Sequence, residues 1–320
     1  MSAVAGGGPG STASTNLRAA SAPVCFGVNE VLPAGAWMPD REAVLDAIAA
    51  LDYAGTELGP PGYLGDSAAV RDGLARRGLL LVGAFLPLHF SSAAQFPEDR
   101  AWLGRTLALI AEAVPPGARP FAVLSEGFGE PLRMQYAGRI EEHPEAALPD
   151  ARVPVLVANL QRAAEDCRAA GLEPVLHHHA ATYIETDAEI RRVLEAIDPT
   201  LLGLCLDTGH ARFGGADPVA LARDYHELIR HVHLKDCSRA VIEAGRRADK
   251  GFADLTAEGA FTELGQGDAG VAEVVAVLRT HGYAGWLVVE QDRYLFADGD
   301  LEATLEAQRR NRAWLRELGI

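Results

Sequence analysis

The chain predicts an α/β fold, a single-domain (β/α)₈ TIM barrel, on three observations. Short β-prone apolar runs alternate with longer Ala/Leu/Arg/Glu-rich stretches of helical period, the pattern of βα units around a parallel sheet. The 320 residues exceed the roughly 250 of a common barrel by little more than a tail and two insertions. No G-x-G-x-x-G turn follows the first run, so the doubly wound alternative lacks its phosphate cradle.

Residues 1–23 are small and Gly/Ser/Ala-rich, with neither a basic start nor a continuous apolar segment. They predict a disordered tail rather than a secretory signal, which leaves 24–320 to the barrel. Strands are predicted at 25–31 (CFGVNEV), 55–59, 79–88, 121–127, 173–180, 202–210, 231–236 and 285–292, and helices at 41–54, 67–77, 97–114, 153–170, 187–197, 217–229, 268–281 and 300–317. Several helices end on a glycine, as in ARRG and RAAG, where the left-handed conformation stops the helix. Two insertions, 128–152 and 237–267, follow strands and are expected to overhang the C-terminal mouth of the barrel, where active sites are built.

Composition excludes several functions. With 29 Lys+Arg against 44 Asp+Glu the net charge is −15, and no basic run is present to bind nucleic acid or an anionic membrane. LLLVGAFLPL is too short to span a bilayer. The four cysteines are widely spaced, with no CxxC pair, which points to a reducing, cytoplasmic setting.

Seven of the ten histidines fall between 177 and 233. Polar groups recur at the ends of the apolar runs: His177 and His179 after EPVL, Asp207 and His210 after LGLCL, His233 after HV, and Glu290 after GWLVV. Each alone reads as a loop, a cap or a core histidine. Parallel strands, however, bring their ends to one face, and imidazoles with carboxylates there suit a divalent metal with mixed N/O ligands, Mn²⁺, Co²⁺, Mg²⁺ or Zn²⁺.

LHHHAATYIET (176–186), CLDTGHARFGGADP (205–218), HVHLKD (231–236), FTELGQGD (261–268) and GWLVVEQD (285–292) together resemble the sugar-phosphate isomerase/epimerase superfamily with its xylose-isomerase-like barrel, and within it most closely the inosose dehydratases. WMPD (37–40), YAGTELGPPGYL (53–64) and RRGLLLVGAF (76–85) extend the likeness to nearly everything after the tail. The resemblance implies a metal, Mn²⁺ or Co²⁺ ahead of Mg²⁺ or Zn²⁺, held by Asp207, His233, Glu290 and a residue after the fifth strand. Many superfamily members have Glu there, and this chain has HHH. Alternation puts His177 and His179 on one side and His178 on the other, so His177 is taken as ligand and His179 as facing substrate.

The reaction implied is loss of water from a cyclitol ketone, 2-keto-myo-inositol, to a trihydroxycyclohexane dione in inositol catabolism. His179, His210 and Glu57 are the proton-transfer candidates, with Lys235 neutralising the enolate and an imidazolium of the HHH segment as an acid for the departing hydroxyl. The rivals are a ketose isomerase or epimerase on the same barrel, an apurinic-site endonuclease, which the charge disfavours, and a non-catalytic binding protein. Partners reduce to a small polyol ketone, with no nucleic acid and no membrane. Self-association is left open.

Overall fold

The computed structural model describes residues 16–320. The chain runs through β1 (Arg18–Ser21), β2 (Gly55–Glu57), β3 (Leu80–Leu88), β4 (Phe121–Glu126), β5 (Glu173–His177), β6 (Gly203–Asp207) and β7 (Ile229–Leu234). β8 (Asp236–Cys237) and β9 (Phe261–Thr262) then pair antiparallel outside the barrel, and β10 (Trp286–Val289) completes it. The eight barrel strands are parallel and close in the order β1-β10-β7-β6-β5-β4-β3-β2. Helices Arg41–Ala50, Ser67–Ala75, Phe96–Ala113, Val153–Ala169, Asp187–Leu194, Pro218–Asp224, Val271–Thr280 and Asp300–Glu317 stand where periodicity predicts them, several ending earlier than expected. Their starts carry ordinary caps, such as Asp40, Asp66 and the Thr186/Glu189 capping box.

The start of the barrel differs from expectation. Residues 25–31 form no strand. Pro23–Phe26 make a 3₁₀ turn that Gly27 ends at φ 83°. The first strand is Arg18–Ser21, inside the segment read as a tail; the expectation of disorder for 1–15 lies outside the described residues. RAAS has little β-propensity of its own. It is a strand because it pairs with β10 over four residues and with Thr56 of β2, and because the Arg18 guanidinium lies 3.9 Å over the Trp286 ring.

Alternation along the strands makes two apolar layers. Outward residues such as Leu86, Leu124, Leu204, Val232 and Leu287 pack against the helices in the main core, while the lumen holds smaller clusters, Ala20 with Val82 and Val288, and Val123 with Val175 and Cys205. Both insertions lie at the C-terminal mouth, as expected. The first carries helix Pro131–Gln135, the second helices Arg239–Arg247 and Phe252–Ala257, and they meet where Gln135 Nε2 donates to Asp249 O (2.7 Å) and Arg139 Nη1 to Asp249 Oδ1 (2.9 Å). No helix of the described residues is long and apolar enough to cross a membrane, and the four cysteines are buried and unpaired.

Ala20 tests the reassigned first strand. Ala20→Asp places a carboxylate in the lumen and should cost about 3 kcal/mol or more, whereas a substitution in a solvated tail stays within about 0.5 kcal/mol. Urea denaturation measures it.

Candidate metal centre

Strand register assembles the site. His177 pairs with Cys205 and Cys205 with His231; one inward row higher, Asp207 pairs with His233 and His233 with Val288. The next inward residue after Val288 is Glu290. The tilt of strands in a closed barrel brings these rows together at the mouth. His177, Asp207, His233 and Glu290 are all buried, and each offers one ligand atom within 4.8 Å of the others. His233 Nδ1 lies 3.1 Å from Glu290 Oε2 and 3.7 Å from Asp207 Oδ2, and His177 Nε2 lies 3.5 Å from Asp207 Oδ2.

The donor set fits a divalent cation. His177 Nε2, His233 Nδ1 and Asp207 Oδ2 are buried with no hydrogen-bond partner, and all three point into the same space. Buried polar atoms left this way are costly, and a cation with two nitrogen and two oxygen ligands would satisfy them at once.

The surrounding contacts orient these atoms. Asp207 caps helix Thr208–Phe213, accepting from the His210 N–H through Oδ1 (2.8 Å), so that Oδ2 is the oxygen left for the cluster. His178 turns the other way and accepts from the Asp207 N–H (3.3 Å). Glu57 Oε1 accepts from His233 Nε2 (3.0 Å) and His231 Nε2 (2.8 Å), which puts the His233 proton on Nε2 and its lone pair on Nδ1. A register shift between Thr56 and Glu57 aims this carboxylate inward, and Gly83 leaves it room, since a Cβ there would stand 3.2 Å from Oε1. Burial alone would raise the Glu57 pKa, but His233 and His231 outweigh it and hold the group well below the usual carboxylate range.

A second group flanks the first. Lys235 Nζ contacts His210 Nε2 (2.7 Å), Asp292 Oδ1 (2.8 Å), Glu290 Oε2 (3.1 Å) and Asp207 Oδ2 (3.4 Å). Burial pulls its pKa down, yet Asp207, Asp292 and Glu290 prevail and keep the ammonium charged. Gly209 makes space for the stem, because a Cβ there would meet Lys235 Cγ at 2.5 Å. His179 donates from Nδ1 to Ala180 O (2.6 Å), and its ring centroid lies 3.5 Å from that of His210. Burial holds His179 and His210 well below the ordinary imidazole value and pushes Asp292 up to about 6.

All eight residues singled out from sequence thus meet in one place. Glu57, engaged with two imidazoles, lines a cavity of about 250 Å³ together with His177, His179, Lys235 and Glu290. Sequence reading missed Asp292, although it follows Glu290 by two residues in the same motif and so shares its face. It also missed Phe85, Phe128 and Phe252, whose rings lie 5.9, 4.7 and 5.7 Å from that of His179. The last two come from the insertions, where no periodicity marks an inward position. The first insertion is tied down by Arg133, buried and forked onto Glu189 at 2.9 and 2.8 Å.

Comparison with known proteins agrees with this fold. The chain is 33% identical over 277 residues to inosose dehydratase of Geobacillus kaustophilus, covering 87% of this chain and 88% of that one. It is 34% identical over 154 residues to inosose dehydratase of Clostridium tetani, a match spanning 48% of this chain and 52% of that one. The solved structure of an L-ribulose 3-epimerase shares the fold at a TM-score of 0.63 over 93% of each chain, at 19% identity. Residues 45–318 match the family model described as xylose isomerase-like TIM barrel, and the chain belongs to that family.

Proposed function

We propose that this protein is a metal-dependent hydro-lyase that dehydrates 2-keto-myo-inositol (scyllo-inosose) to a trihydroxycyclohexane dione. The observation that carries the reading is the pair of adjoining clusters: unpartnered N and O atoms of His177, Asp207 and His233 beside Glu290, and next to them an ammonium and two imidazoles. The likeness to inosose dehydratase over most of both chains supports water loss over epimerisation. His177, Asp207, His233 and Glu290 would hold the metal, Mn²⁺ or Co²⁺, which when bound supplies Lewis acidity toward the ketone.

The protein's own groups divide the remaining work. His179 spends its Nδ1 proton on Ala180 O, so Nε2 faces the cavity with a free lone pair and serves as the base for the proton α to the ketone. This differs from the acid role expected of the HHH segment, because a base needs the unprotonated nitrogen that this hydrogen bond leaves. The resulting enolate charge develops beside Lys235, which is fixed by four contacts before the reaction begins. The β carbon–oxygen bond then breaks, and the leaving hydroxyl takes a proton from the Lys235–His210 side to depart as water. The enol left behind becomes the second carbonyl. Glu57 acts through His233, keeping its Nδ1 turned to the cluster.

Elemental analysis should find about one divalent metal per chain, lost in Asp207→Ala and in Glu290→Ala, since each leaves an incomplete ligand set. Stoichiometric metal in both variants contradicts the centre. Lys235→Met should keep the metal and lower kcat by about 100-fold or more, the scale seen when one preorganised charge stabiliser is removed. Near-normal turnover would reduce Lys235 to an ion-pair partner. Mass spectrometry should show a product lighter by one water, and His179→Ala should slow α-proton exchange with D₂O and water loss alike. A product of unchanged mass would make the enzyme an isomerase or epimerase.

A further inference from the structure

One wall of the cavity is apolar where a polyol ring would need hydrogen bonds. The segment after β1 lines it with Val24, Val28, Val31 and Leu32, and the insertions add Met134 and Phe252. Several of the polar groups that line the cavity are already committed, while Glu30 and Tyr294 line it as well. Lys235 and Glu57 hold the contacts described above, the Thr256 hydroxyl donates to Phe252 O (2.9 Å), and the Asn29 amide donates to Arg293 O (2.9 Å). A ring hydroxyl turned toward such a wall loses its water and gains no partner, a net cost. The wall also reaches the surface, since Val31 lines the cavity and is 68% exposed.

Charge narrows the ligand further. Among the described residues lining the cavity Lys235 is the only cation, and it is matched by three carboxylates, while Glu30 adds a carboxyl whose pKa burial pushes up to about 7. A phosphorylated substrate would find no free cation there.

We propose that the aliphatic wall is a subsite for an apolar substituent attached through oxygen, so that the preferred ligand is an uncharged cyclic polyol ketone bearing one alkyl or aryl ether. This rests on the cyclitol reading above and adds a specificity to it. The reacting edge of the ring faces His179 and Lys235, and the ether group lies along Val28, Val31 and Leu32 toward solvent.

The test uses unreactive alcohols, so that binding is read apart from turnover. Calorimetry on the Mn²⁺-loaded protein compares scyllo-inositol with its mono-O-benzyl ether, a single compound because all six positions are equivalent. The ether should bind about tenfold tighter or more, which is 1.4 kcal/mol. Val31→Glu, at an exposed position, should bring the ratio of the two dissociation constants down at least about fivefold by placing a charge on the wall. Equal or weaker binding of the ether, or a ratio unmoved in Val31→Glu, overturns the subsite, even if scyllo-inosose loses water in a parallel mass assay. Tight binding of the ether with no water loss from scyllo-inosose overturns the dehydratase reading and leaves the subsite standing. Failure of both alcohols to bind overturns the subsite alone when scyllo-inosose still loses water, and overturns the two together when it does not.

Discussion

Asp207 is fully buried, and only one of its oxygens has a hydrogen-bond partner. Oδ1 caps a helix, while Oδ2 faces two imidazole nitrogens that likewise have no hydrogen-bond partner. Each buried unsatisfied group costs about 1–3 kcal/mol, so the barrel mouth stores a demand for positive charge. Lys235 meets part of it. Four carboxylates, those of Glu57, Asp207, Glu290 and Asp292, stand around one ammonium and a set of imidazoles, which leaves a site that attracts cations and repels anions.

That demand is useful only if the lone pairs converge, and convergence is prepared a layer below. Glu57 accepts from two imidazoles of β7, His231 and His233, and each contact restrains a ring that strand geometry alone would leave free about χ2. The Phe121 ring stacks on His231 at 4.4 Å, closing the lumen beneath this pair. The polar column is thus supported from below by packing and from the side by register.

The polar cluster and the walls around it come from different parts of the chain. The cluster stands on strand ends, whereas the walls come from loops, helix Pro131–Gln135, helix Phe252–Ala257 and the segment after β1. This division lets one barrel carry different substrates above the same centre.

The sequence by itself determined the barrel and singled out polar residues that come together at its mouth. Alternating βα periodicity is written in local apolar spacing, and DTGH, HVHLKD and VVEQD place polar groups at strand ends that parallel geometry must bring together. The tertiary structure alone decided that RAAS at 18–21 is the first strand and CFGVNEV a turn, because pairing with β10 and β2 supplies what four small residues cannot signal. It also decided that Glu57 supports His233, that Asp292 holds Lys235, and that the segment after β1, with Met134 and Phe252 of the insertions, furnishes an apolar wall. These depend on contacts between residues far apart in the chain, 176 positions for Glu57 and His233, and local periodicity carries no record of a partner at that distance.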